Sequence, residues 1–332
     1  MKEGKLSEPV WERSVLKGIV TRKENIVSVV GLGRTGNIFK TGEPYTIVSS
    51  EADFLLWDSS PYNRDISGKI LFHRAVNACA AMGAKPVAVQ VQLLCPLAFM
   101  ESDLKALMSS LKEEAEKLGI SLVPGKIESS SFVYAPYLVL NGIGAVKTEE
   151  PYYKIEAGQE LLLTKWIAIE STVLLARKYE KELLSHFTPV FLGNAQKLLQ
   201  YISVVPEALV AVRHGVKAML PIEEGGIFGT LWELAKGAGL GLEVRAKDIP
   251  IKQETIEICE LYHKNPYKLP SAGSLLMVVE HGEQLKWELL NAGIPSTVIG
   301  VLTDKSERVL LNGEEKRFLE LPKMNELGEE DN

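Results

Sequence analysis

The chain has 332 residues, long enough for two ordinary domains or one large one with a sizeable core. Hydrophobic residues make up 46% and charged residues 24%, the balance of a soluble globular protein, and the net charge of −6 carries no dense Lys/Arg stripe, which speaks against a nucleic-acid surface. Cys79, Cys95 and Cys259 stand far apart in apolar periodic segments without a CxxC pair, so neither a disulfide scaffold nor a zinc site is expected. "MKEGKLSEPVWERSVL" has no continuous apolar stretch of the kind a signal peptide needs, and no run approaches the ~18 apolar residues of a membrane span. The expectation is a cytoplasmic protein with reduced thiols and no membrane or nucleic-acid partner. The acidic tail "NELGEEDN" reads as solvated.

In chain order, residues 5–17 predict a short leading helix. "NIVSVV" (25–30) and "YTIVSS" (45–50) predict strands on either side of the glycine-rich "GLGRTGNIFKTGEP". "ISGKILFHRAVNACAAMGA" (66–84) predicts a helix ending at Gly83, and "KPVAVQVQLLC" a strand apolar on both faces. Ser102 is a candidate N-cap for a helix whose stripe is Leu104, Leu107, Met108, Leu111, Ala115 and Leu118, closed by Gly119. Strands at 120–125 and 137–146 follow, giving an α/β or α+β domain. The polar segment 147–159 reads as a linker, so domains of 1–148 and 159–322 are expected. The second carries helices at 170–184, 192–201, 205–218 and 226–236 and strands near 242–246, 274–280 and 296–302.

Six segments in this order resemble the aminoimidazole ribonucleotide synthetase (AIR synthase) superfamily, and within it the HypE-type hydrogenase maturation factors. They are "GKLSEPVWERSVL", "NACAAMGAKPVAVQVQLLCP", "LLLTKWIAIESTVLLA", "EEGGIFGTLWELAKGAGLGLEV", "IPIKQETIEICE" and "LPSAGSLLMVV". The resemblance spans nearly the whole chain. It implies an N-terminal α/β domain that pairs across a homodimer into a β-barrel, and a C-terminal α/β domain. It also implies ATP and magnesium as cofactors, used to activate an amide-type oxygen for dehydration or ring closure. Magnesium wants hard anionic oxygen ligands, which the family supplies as aspartates.

This chain departs from that pattern at those acids. Asn37 is the nearest residue to the first acidic position. Ser49 and Ser50 stand where the family has an acid on the next strand, with Glu51 and Asp53 displaced. The Asn-Asp of the following helix is Asn77-Ala78, Lys126 takes the polar position of a glycine loop, and Pro221 replaces the acid before the double glycine. HypE-type factors carry a C-terminal cysteine, whereas this sequence ends "EEDN", so the thiolate chemistry of that cysteine is not expected.

The candidate sites follow. Glu51 and Asp53, with Asp58 nearby, are the candidates for a relocated metal cluster. Lys126 is a candidate phosphate contact with Glu128 as a competing partner, and Arg34 a candidate phosphate partner in a loop that reads more readily as a plain connection. Gly225-Gly226, leading into a helix near Ile227, either presents free N–H groups to an anion or is a turn where a side chain would clash. Glu223 and Glu224 oppose an anion there. His73 has no acidic partner nearby in sequence and reads as structural, and Glu170 as a helix-capping carboxylate. Trp166, Trp232 and Trp287 read as core or interface residues. Two functions are carried forward: a degenerate homologue that binds a small anion or a protein partner, and an ATP-dependent enzyme of the family type.

Overall fold

From Tyr45 onward apolar strands and amphipathic helices alternate with short connections, and that alternation builds most of the fold. A computed structural model describes residues 4–5, 8–17, 26–28, 38–39, 42–55, 61–147 and 154–320. The chain divides into two compact units, Met1–Ala80 with Ala84–Glu149, and Ala81–Gly83 with Glu150–Asn332.

In the first unit the elements are β1 (Gly4–Lys5), α1 (Glu8–Trp11, continued by a π-helical turn Glu12–Leu16), β2 (Ile26–Ser28), β3 (Ile38–Phe39), β4 (Tyr45–Phe54), α2 (Pro61–Ala81), β5 (Lys85–Cys95), α3 (Glu101–Leu118), β6 (Ser121–Ser129) and β7 (Tyr137–Val146). Five strands form one sheet in the order β1-β6-β5-β7-β4, antiparallel except for β5 with β6, while β2 and β3 pair separately. Leu138 and Leu140 of β7 and Val91 and Leu93 of β5 are buried, as are Phe72 and Val76 of α2 and Leu104, Met108 and Leu111 of α3. Gly142 lets α2 lie close on the sheet: a Cβ there would sit 2.5 Å from the Ala75 carbonyl oxygen and 2.6 Å from Ser49 Oγ.

Several boundaries differ from expectation. Strand β4 runs on to Phe54, and α2 starts at Pro61, a residue well suited to a first helical position. Ser102 is not the cap of α3. The helix begins at Glu101, and the Asp103 carboxylate accepts from the Met100 N–H at 3.1 Å, so an acid inside the first turn does the capping.

In the second unit the elements are β8 (Glu160–Thr164), α4 (Ile169–Lys178), α5 (Glu180–His186), α6 (Pro189–Lys197), α7 (Val205–Arg213), β9 (Ala218–Ile222), α8 (Gly226–Ala238), β10 (Gly241–Arg245), α9 (Gln253–Leu261), β11 (Ser271–Val279), α10 (Gly282–Asn291), β12 (Ser296–Thr303), β13 (Arg308–Asn312) and β14 (Glu315–Phe318). Seven strands form a mixed sheet in the order β14-β13-β10-β12-β8-β11-β9. Ile227, Leu231, Leu234 and Ala235 of α8 pack with Leu161, Leu163, Leu276 and Val278 from the sheet, and a second apolar cluster joins α4, α5, α6 and α9 through Leu175, Leu183, Leu192 and Ile258. Every residue of β11 is buried, as suits a strand covered on both faces. The helix expected over 170–184 breaks at Tyr179 into α4 and α5. The one expected over 205–218 stops at Arg213, because Gly215 turns the chain with φ 69° into β9. Among the described residues no helix is long and apolar enough to cross a membrane.

His73 has an acidic partner after all, brought from α3: its Nε2 lies 3.1 Å from Glu114 Oε2, and Lys117 donates to Glu114 Oε1 at 2.7 Å. Burial pushes the Glu114 carboxyl up, but the hydrogen bonds from His73 and Lys117 outweigh it and hold the group down at about 2. A carboxyl with a depressed folded pKa contributes stability that is complete above its unfolded value, about 4.3, and is lost as pH falls toward the folded one. Glu114→Gln is expected to cost about 3 kcal/mol at neutral pH. In urea unfolding, the difference between wild type and variant should shrink steadily as pH is lowered from 5 to 2.

Candidate functional site

Strand alternation sorts the residues of β4 onto two faces. Ser49, Glu51 and Asp53 share the side that meets α2. There Ser49 Oγ donates to the Ala75 carbonyl at 2.6 Å and lies 3.2 Å from Cys79 Sγ, and Glu51 Oε2 is 3.0 Å from Arg74 Nη2. Asp53 is exposed, and its Oδ1 accepts from the Phe54 N–H at 2.7 Å. Thr46, Val48, Ser50, Ala52 and Phe54 occupy the opposite, exposed face. Glu51 and Asp53 are thus brought together on one strand face, with a guanidinium already beside the first. Among the described residues no group of three or more His, Cys, Asp or Glu side chains is placed to hold a metal ion.

The other candidates of this unit do not join them. Lys126 lies on β6, where the pairing register with β5 shifts, and its Nζ is 2.9 Å from Glu128 Oε2. Three strand spacings separate β6 from β4 in the sheet order, roughly 14 Å. Asn77 is buried within α2, one helical turn beyond His73. Arg34, Asn37 and Asp58 lie outside the described residues.

At the start of α8, Gly225 and Gly226 both take left-handed φ, 80° and 62°. A Cβ on Gly226 would meet the main chain of 267–269, at 2.5 Å from the Tyr267 oxygen and 2.6 Å from the Lys268 carbonyl carbon. The Gly226 N–H donates to the Glu223 carbonyl at 3.0 Å, Ile227 is fully buried, and the Phe228 ring stacks on Tyr267 with centroids 5.0 Å apart. Packing and backbone conformation account for this glycine without an anion.

The end of β8 holds a polar cluster that sequence reasoning missed. Lys165 and Ala168 adopt φ 54° and 56°, a conformation that costs a residue with a side chain roughly 1–2 kcal/mol. Lys165 Nζ donates to the carbonyls of Tyr201 (2.8 Å) and Ser203 (2.6 Å) and forms an ion pair with Glu207. Burial pushes the Lys165 ammonium down and the Glu207 carboxyl up, and each opposes the shift of the other. Thr164 Oγ1 accepts from the Leu275 N–H at 3.1 Å, and Ser271 Oγ accepts from the Ile169 N–H at 3.2 Å. Glu170, in the first turn of α4, is buried and accepts from the Ala272 N–H at 3.0 Å, which ties that turn to the start of β11. The visible signal was the single cation in the apolar run "LLLTKWIAI", whose partner lies 42 residues on.

The sequence profile described as AIR synthase related protein, N-terminal domain, matches residues 45–146, and that of the C-terminal domain matches residues 156–312. This chain belongs to the AIR synthase related protein family. It is 24% identical over 254 residues to a putative hydrogenase expression/formation protein of Methanocaldococcus jannaschii, covering 74% of this chain and 72% of that one. It is 25% identical over 266 residues to the carbamoyl dehydratase HypE of Escherichia coli, covering 77% and 76%. The crystal structure of E. coli HypE superposes with a TM-score of 0.76 at 20% identity, over 97% of this chain and 99% of that one. A HypE structure in complex with ATP gives 0.72 at 15% identity, over 96% of both chains. A HypE–HypF complex gives 0.67 at 18% identity, over 83% and 90%. The chain is a HypE-like, AIR synthase-related protein of two domains.

Within this family fold Gly226 is a seat for the 267–269 main chain. Gly226→Ala adds a Cβ at positive φ into backbone atoms that cannot move aside, and is expected to cost about 2–4 kcal/mol in urea unfolding. Gly237→Ala, in the same helix with open space around it, should cost nothing or stabilise slightly.

Proposed function

We propose that this protein is a HypE-like family member that keeps the fold and works by binding a protein partner, having lost magnesium-ATP turnover. The observation that carries this reading is the Arg74–Glu51 pair at 3.0 Å: the acid best placed to replace the missing ligands is matched with a fixed positive charge. A dication brought to Glu51 must displace or face a guanidinium, which cannot be neutralised by deprotonation. Lys126 is likewise matched with Glu128, Ser49 is spent on the Ala75 carbonyl, and Asp53 alone offers one exposed carboxylate. Among the described residues no further group stands ready beside it, and magnesium bound through a single carboxylate is held weakly.

The same strand supports the partner half of the reading. The outer face of β4 exposes Val48 and Phe54, and the Phe54 ring stacks on Tyr134, which is 80% exposed beside Phe132 at 92%. Contiguous exposed aromatic surface of this kind marks protein contact. One such contact is a second copy of the chain, joined through the N-terminal domain, and the solved complex of HypE with HypF sets the precedent for another. The glycine pair at 225–226 gives less support to a small-anion site, since packing explains Gly226 and Glu223 and Glu224 stand beside it.

Two measurements test this. Melting temperature with millimolar magnesium and ATP should match that in magnesium alone, whereas a ligand at 100 times its Kd would add about 2.7 kcal/mol. Robust magnesium-dependent ATP hydrolysis, lost in Asp53→Asn, would sink the reading and show a relocated metal site. Separately, light scattering at micromolar concentration is expected to give about twice the 36.6 kDa chain mass, and a clean monomer would remove the dimer.

A further inference from the structure

The ammonium of Lys165 sits in a pocket whose chemistry is that of a cation site. It donates to two main-chain carbonyls, Tyr201 at 2.8 Å and Ser203 at 2.6 Å, and forms an ion pair with the carboxylate of Glu207. Two carbonyl dipoles and one carboxylate charge thus surround a single positive charge. Both side chains are out of solvent, Lys165 at 5% exposure and Glu207 at 1%. Carbonyl oxygens gathered round a single positive charge in place of its hydration shell are what a desolvated monovalent ion requires. One carboxylate balances one positive charge and not two. The backbone is turned to φ 54° at Lys165, which brings the side chain in from the end of β8.

We propose that Lys165 is a tethered cation, its ammonium occupying a monovalent-cation site formed by the Tyr201 and Ser203 carbonyls and the Glu207 carboxylate. The occupied site fixes the segment 201–207 against the end of β8. Two contacts depend on that placement. A Cβ on Gly273 would come within 2.6 Å of the Tyr201 carbonyl oxygen, so the two main chains touch, and the Trp166 ring meets Tyr201 edge-on at 5.1 Å. Lys165 is thereby a positioning residue for the 164–170 turn and for the irregularly paired start of β11 at 271–274, independent of whether the protein turns over ATP.

Lys165→Gly isolates the idea, because glycine accepts φ 54° without strain and the substitution removes only the side chain. Melts of the full chain are compared in choline, potassium, ammonium and n-butylammonium chloride at equal ionic strength. In choline the variant should melt about 10 °C below wild type, as expected for a broken buried pair. In ammonium, potassium or n-butylammonium it should regain about half of that loss, by the mass action of a ligand that binds only the folded state. Wild type should not distinguish the four salts. Equal melting temperatures for the variant in all four, or the same salt ranking in wild type, would overturn the proposal. If the variant does not fold in choline, refolding yield from urea replaces the melt: yield restored by the small cations supports the proposal, and yield equal in all four salts refutes it. Adding Glu207→Gln to Lys165→Gly removes the anion and should abolish the recovery; recovery that survives it rules out this site.

Discussion

Helix α2 rests on the first sheet where Gly142 has no side chain and where the Ser49 hydroxyl reaches the Ala75 carbonyl, and that seating decides what β4 can offer. Because the helix lies so close, the inward side chains of the strand are committed to it: Ser49 to the main chain, Glu51 to Arg74. A carboxylate held against a helix-borne guanidinium is electrically satisfied within its own domain. The outward side chains keep no such obligations, and two of the exposed apolar residues of the unit, Val48 and Phe54, lie on that face.

The second unit follows a related rule at the end of its central strand. There the chain leaves β8 through two left-handed residues, and each polar group the turn brings in meets a partner from a distant segment: Lys165 from 201–207, Thr164 from Leu275, Ile169 from Ser271, Glu170 from Ala272. Hydrogen bonds in a dry interior are costly to leave half made. Strain in the turn is thus held by a network that has to be complete.

Regular elements with one buried stripe were legible before the structure. The stripe of α3 and the strand 137–146 appear as read, because local periodicity follows directly from which side faces the core. The order of six motifs identified the family. Interruptions were less visible: the break at Tyr179 falls in the charged run "RKYEKE", which holds no glycine or proline to stop a helix, and the short strand 218–222 sits in apolar sequence where periodicity cannot separate helix from strand. Least legible were the pairs. His73 with Glu114 and Lys165 with Glu207 join residues 41 and 42 apart in sequence, and no local pattern announces a partner that tertiary packing supplies. The same holds for Arg74, which sequence reading passed over and which determines how Glu51 is to be understood.

The Arg74–Glu51 contact also bears on how such a protein can change over generations. Replacing Arg74 first would leave a half-buried carboxylate without its guanidinium; replacing Glu51 first would strand the guanidinium in the same way. Introducing new acids on β4 while Arg74 remains would have them compete for that charge before any ion. Each single replacement at this pair therefore begins with a loss of stability, so the two residues are more easily kept, or exchanged together, than changed one at a time.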